Sequence, residues 1–141
     1  MNEIQHLPLQ SVWPVRVYYE DTDAGGVVYY ANYLKFCERA RTEWLRSLGI
    51  SQHHLLTERS LAFVVAHFSA DYLKSAELDD ELAVISTIAG LGAATITFRQ
   101  EVRRGGTLLF AATVKVACVD WAQRRAARIP DDLRPLFESK A

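Results

Sequence analysis

No run of apolar residues in this 141-residue chain comes near the ~20 that a helix needs to cross a bilayer, so no membrane insertion is expected. A surplus of charge is missing as well: 16 basic against 17 acidic residues leave a formal net charge of -1, which removes the global electrostatic case for a nucleic-acid partner. Cysteine is scarce. Cys37 and Cys118 lie far apart, without the paired spacing of a zinc site or a disulfide framework, and read as buried, reduced thiols of a cytoplasmic protein. The opening MNEIQHLPLQ lacks the basic stretch and apolar core of a secretion signal. There is no internal repeat, low-complexity segment or linker, so residues 1–141 read as one domain. What is present is a composition that folds: 50% hydrophobic and only 23% charged residues.

The periodicity changes along the chain. Trp13 to Glu20 alternates as a strand, with Val15, Val17 and Tyr19 on one face and Arg16, Tyr18 and Glu20 on the other. From about Tyr30 to Leu48 the period is helical. Tyr33, Phe36, Cys37, Ala40, Trp44 and Leu48 form an apolar face, Arg39 and Glu43 are spaced as an i,i+4 ion pair, and Gly49 supplies a stop. Residues 51–60 read as a short helical or irregular connection. Four segments of period two follow, at 62–72, 81–91, 94–104 and 107–120, with LDD, GLG and RRGG as turns between them. The PDDLRPLFE segment, 130–138, reads as a helical turn begun by Pro130 and Asp131. One long amphipathic helix against one curled five-stranded antiparallel sheet is an α+β two-layer fold. A single helix cannot cover such a sheet and both its edges, which predicts a homo-oligomer.

Between the first strand and the helix lies YYEDTDAGGVVYYANYL, residues 18–34. Three chemistries compete for its carboxylates. Asp21, Asp23 and Gly26 match positions 1, 3 and 6 of a calcium loop, but Gly25 and Asn32 fall where further carboxylate or side-chain oxygens are needed, so no metal is expected. A solvated turn with a capping Asp accounts for one carboxylate. The third reading uses the helix that follows. Its first N–H groups are unpaired and carry about half a positive charge, so they could hold the oxyanion of an attacked carbonyl while a nearby carboxylate attacks or activates water. Glycines at 25 and 26 would let a ligand approach the backbone, and Asp21 and Thr22 would shape the loop.

The stretch from Tyr18 to Ile50 also resembles hotdog-fold acyl-CoA thioesterases of the 4-hydroxybenzoyl-CoA thioesterase group, and within it the bacterial thioesterases encoded alongside the Tol-Pal envelope proteins. The shared pattern, Asp-x-Asp-x-x-Gly-x-Val followed by an aromatic or histidine position and a tyrosine, is met by Asp21, Asp23, Gly26, Val28, Tyr30 and Tyr33. The resemblance implies a hotdog fold, a site at the interface of a homodimer or homotetramer, and hydrolysis of an acyl-CoA or acyl carrier protein thioester with no cofactor. It assigns Asp23 as nucleophile or general base, with Tyr19 and Tyr30 as further catalytic residues. Gly26, Val28 and Tyr29 would bind substrate, and the amides of Val28 to Tyr30 would hold the thioester oxygen. Members often have histidine where this chain has Tyr30; a tyrosine donates a hydrogen bond but is no base near pH 7.

Other polar residues read as solvated: His53 and His54 after the helix, His67 on a strand, and the RRGG turn. The RRAAR run, 124–128, could meet the phosphates of CoA. Two other functions compete with hydrolysis. One is a non-catalytic acyl-binding or scaffolding protein that docks to lipid-synthesis enzymes or acyl carrier protein. The other is a hotdog dehydratase, which wants a histidine followed closely by glycine; His53, His54 and His67 lack one.

Overall fold

The structure, a computed structural model, describes residues 9–138; the reading that residues 1–8 belong to no secretion signal lies outside that range. Two α-helices, α1 (Asn32–Ser47) and α2 (Gln52–Arg59), accompany six strands. The strands are β1 (Gln10–Arg16), β2 (Leu61–Tyr72), β3 (Glu81–Leu91), β4 (Thr95–Arg104), β5 (Thr107–Asp120) and β6 (Arg125–Ala126). The order across the sheet is β1-β3-β4-β5-β2, antiparallel throughout, and the two-residue β6 adds to β5. The five expected strands are therefore present, with β6 as a small unexpected sixth.

The alternation that predicts the strands is also what builds the core. Val84 on β3, Ile96, Phe98 and Val102 on β4, and Val114, Val116 and Cys118 on β5 are all buried on the face that meets α1. From the helix, Tyr33 stacks on Phe110 with ring centroids 5.1 Å apart, and Trp44 meets Phe98 edge-on at 5.9 Å. Each such aromatic removed from water contributes roughly 1.5–3 kcal/mol. The helix ends as the glycine predicts. Gly49 takes φ 88, its N–H reaches the Arg46 carbonyl, and the Ile50 N–H reaches the Leu45 carbonyl.

Three local expectations are corrected. The first strand runs Gln10–Arg16, and Tyr19–Asp21 is a 3₁₀ turn, because the Asp21 carboxylate turns back onto the Tyr18 N–H and ends the extension. Tyr19 thus points to solvent at 81% exposure and does not follow Val17 into the core. The helix begins at Asn32, two residues after the expected start, so Tyr30 and Ala31 belong to the approach. Glu43 pairs with Arg46, one turn on, and not with Arg39.

Candidate active site

The acidic loop is a small hairpin closed on itself and tied to the chain around it. Thr22 and Val28 bridge across its base, the Asp23 N–H reaches the Val27 carbonyl at 2.9 Å, and Gly26 turns the chain back at φ 82. The outgoing limb is zipped to the segment before β3: Val27 bridges Glu77, and the Val28 N–H reaches the Ala76 carbonyl at 2.8 Å. Asp21 anchors the other side. It is buried at 6% exposure, its Oδ2 accepts the Tyr18 N–H at 2.8 Å, and its Oδ1 accepts the Asn32 amide at 2.9 Å. Thr22 donates its hydroxyl to the Tyr19 carbonyl. The two residues read as loop-shaping do shape it.

That leaves Asp23 as the carboxylate turned outward. One oxygen, Oδ1, accepts the Gly25 N–H at 2.9 Å, while Oδ2 has no hydrogen-bond partner among the described residues. A Cβ on Gly25 would stand 3.3 Å from Oδ1, so the glycine is what lets the backbone approach so closely.

The amides at the helix start divide differently from the expectation. The Val28 N–H is taken by Ala76 and the Tyr29 N–H by the Asp21 carbonyl at 2.9 Å, so neither faces a substrate oxygen. Tyr30 and Ala31 are the residues whose N–H groups find no acceptor among the described residues, immediately before α1. They lie at the positive end of the helix dipole, which favours a negative charge. The carbonyl of Tyr30 is fixed from β2, where the Tyr72 hydroxyl donates to it at 3.1 Å. Tyr72 also meets the rings of Tyr30, Tyr33 and Phe110, at 5.9, 5.7 and 4.9 Å. Burial pushes the Tyr72 phenol up, so it stays a proton donor at neutral pH. Tyr33 completes the frame, its hydroxyl oxygen accepting the Ala76 N–H at 3.0 Å.

The chain matches the Thioesterase-like superfamily over residues 17–137. It belongs to that superfamily. Two curated members show how close the kinship runs. "Acyl-CoA thioesterase YbgC" of Haemophilus influenzae is 51% identical over 125 residues, which cover 89% of this chain and 92% of that protein. "Acyl-CoA thioester hydrolase YbgC" of Escherichia coli O6:H1 is 47% identical over 127 residues, covering 89% and 94%. Among solved structures, a probable thioesterase from Bartonella henselae superimposes with a TM-score of 0.82 at 33% identity, over 86% of this chain and all of that one. A 1,4-dihydroxy-2-naphthoyl-CoA thioesterase from Synechocystis does so at 0.85 and 27%, over 91% and 95%. The hotdog fold expected from the loop signature is the fold of this thioesterase-like chain.

Within that frame, Asp23, Gly26 and Tyr30 share one loop, whereas Tyr19 keeps only its backbone in it; its ring is exposed. Val28 is core and Tyr29 is surface. The basic run does not join the loop within one chain. Arg124 lies on the Trp121 ring at 3.9 Å, and Trp121 bonds to Ser60, just before β2, whereas Tyr72 closes β2 at its other end. That separation is about 35 Å of strand. Cys37, buried completely, has its thiol pushed up to about 12 by burial and is no nucleophile. Three residues that position the site went unread in the sequence. Asn32 was legible as a polar residue at the helix start; Tyr72 and Ala76 act through pairings that no local pattern shows.

Proposed function

We propose that this chain is an acyl-CoA thioesterase, a single domain hydrolysing an acyl-CoA to the free acid and CoA. The observation that carries the reading is the division of labour in one loop: Asp21 holds, and Asp23 keeps one carboxylate oxygen unengaged in the same loop that brings the unpaired amides of Tyr30 and Ala31 to the start of α1. The thioester oxygen accepts from those amides, and negative charge that develops on it is met by donors already in place. Asp23 then acts in one of two ways. It takes a proton from water, whose oxygen adds to the carbonyl as the thiolate leaves and is protonated. Alternatively, its own oxygen adds and expels the thiolate to give an anhydride that water opens to the free acid and the carboxylate. Both need only water as co-substrate, so no cofactor enters. The thiol carrier can be CoA or acyl carrier protein. The names of the YbgC relatives support CoA.

In one chain Asp23 is open to solvent, where electrostatic stabilisation is weak. The free edge of β2 supports a remedy. Val65, Phe68 and Tyr72 are exposed there, and a second copy pairing edge to edge, in antiparallel sense, would bring the start of its own β2 beside Tyr72 and Tyr30. The second copy's Arg124 and Arg125 would then lie near the CoA phosphates. A homodimer, or two dimers as a homotetramer, in the cytoplasm is the proposed form. No helix among the described residues is long and apolar enough to cross a membrane.

The test is thiol release from short, long and aromatic acyl-CoAs by wild type and Asp23→Asn. Turnover by wild type with a loss of at least ~10²-fold in the variant supports the reading. Binding without turnover in either protein would make the chain a non-catalytic acyl-binding or scaffolding protein. Equal rates would mean that another carboxylate acts.

A further inference from the structure

A groove runs beside the site, between α1 and the β2 side of the sheet. Its outer part, a cavity of about 360 Å³, begins at Leu34, one turn beyond Tyr30, and is walled by Phe68 and Val114. An inner part of about 260 Å³ continues to Leu45 and Phe63. Arg41 and Glu38 line both parts. The walls are otherwise mostly apolar, yet Arg41 is anchored there by a buried polar chain. Its Nη1 donates to Gln100 Oε1 at 2.8 Å, and the Gln100 amide donates to the Cys37 carbonyl at 3.0 Å and to Ser86 Oγ at 2.9 Å. Gln100 and Ser86 are wholly buried. Burial lowers the Arg41 pKa, the sign of a cation held away from water.

The guanidinium has five donors, and one is used by Gln100. Among the described residues no carboxylate stands within ion-pair distance of it. Glu38 already accepts the Thr42 hydroxyl at 2.6 Å. With Lys35 counted, the lining carries two cations and one anion, so one positive charge is uncompensated. A partly buried, oriented arginine with four donors unused by Gln100, in a lining of net positive charge even with Glu38 acting on it, calls for an anion with two oxygens. The helix rise places it ~16 Å beyond Tyr30, too far for a short acyl group and within reach of a long one. The second copy proposed on the β2 edge would roof the groove.

Resting on the thioesterase reading, we propose that the groove takes the acyl chain and that Arg41 is a specificity residue for a long chain ending in a carboxylate. Charge-assisted hydrogen bonds contribute enough for a ~10-fold or greater preference.

The test compares kcat/KM for dodecanoyl-CoA and for its ω-carboxylated counterpart of equal length, in wild type and Arg41→Met. Alongside, the affinities of the matching free acids for Asp23→Asn are measured by calorimetry, together with the mass of every variant in solution. The expected result is a ≥ ~10-fold preference for the carboxylated thioester in wild type, with the ratio falling to about one in Arg41→Met. The diacid should also bind more tightly than the monoacid. If no thioester is hydrolysed but the diacid still binds better, the thioesterase reading fails and this inference stands. If thioesters turn over with no preference for the carboxylate, or neither acid binds, the inference is overturned. It is equally overturned if Arg41→Met changes the oligomeric mass and leaves the ratio intact, because the arginine would then tie two copies together. Should Arg41→Met not fold, the wild-type ratio and the diacid affinity decide alone.

Discussion

The Asn32 amide donates to Asp21 Oδ1 across 2.9 Å, joining the first residue of α1 to the buried carboxylate of the loop before it. This one bond makes loop and helix a rigid unit, because Asp21 also holds the Tyr18 N–H and, through its carbonyl, the Tyr29 N–H. Asp23 and the Tyr30 amide are therefore presented by a single frame.

Asp21→Ala should strand two donors in a buried place and cost ~1–3 kcal/mol of stability. Its effect on turnover should exceed what the lost stability explains, since the frame that presents Asp23 loosens. Thermal unfolding and kcat on the same preparations check this. A variant of native melting temperature and native rate would show that the loop does not need the tie.

Neighbouring glycines should fail in different ways. Gly26 sits at φ 82 with nothing within 4 Å of a built Cβ, so Gly26→Ala costs backbone energy alone, roughly 1–2 kcal/mol. A Cβ on Gly25 stands 3.3 Å from Asp23 Oδ1, so Gly25→Ala displaces the carboxylate and should lower activity more than stability. Paired denaturation and rate measurements separate the two; identical profiles would contradict the geometry.

Both thiols should resist modification. Cys37 is pushed up to about 12 and Cys118 upward, each by burial, so neither offers thiolate near pH 8. A chromogenic disulfide reagent should label none in the native protein and both in denaturant. Labelling of native protein without unfolding would show that the core is more open than its packing.

How much of this was legible follows from what each element depends on. The bounds of β3 and β5 agree with the segments of period two, because alternation and turn residues are local. Asp23 was legible too, as one of three carboxylates, with Glu20 and Asp21, in a short loop before an apolar helix. Which amide remains unpaired was not: the Val28 N–H is lost to Ala76, a partner brought near only when the hairpin meets the segment before β3. Gln100 lies in phase with Ile96, Phe98 and Val102, yet a glutamine in an apolar phase shows its meaning only once Arg41 and Ser86 stand beside it.

Acid should weaken the loop through Asp80. The Glu77 N–H, first, and Arg104, at 2.7 Å, hold its carboxyl below the usual range. The folded pKa is lower than the unfolded one, so this stabilisation is complete above the unfolded value near ~3.9 and fades as pH falls through the folded value. Asp80 braces the segment to which Val27 and Val28 are zipped. Asp80→Asn should therefore flatten the acid limb of the stability curve below about pH 4. An unchanged limb would assign acid unfolding to other carboxylates.

The edge of β2 carries the last prediction. On the side of it that faces α1, Val65, Phe68 and Tyr72 are 49%, 46% and 46% exposed, an apolar row along a strand whose free side offers unpaired backbone groups. A lysine on such an edge opposes pairing, because a charge would have to be buried against the second copy. Phe68→Lys should therefore reduce the mass seen by light scattering to that of one chain. The same variant should lose most of its turnover, since an Asp23 left in open water stabilises a developing oxyanion poorly. Tyr72 and its bond to Tyr30 are untouched by the substitution, but Phe68 also walls the groove beside α1. The loss of activity therefore points to the second copy when two further results hold. Val12→Lys, on the opposite sheet edge and outside that groove, leaves mass and turnover unchanged, and the Phe68→Lys turnover rises with protein concentration as mass does. A single-chain Phe68→Lys protein that hydrolyses acyl-CoA at the wild-type rate would show instead that one chain holds a complete site.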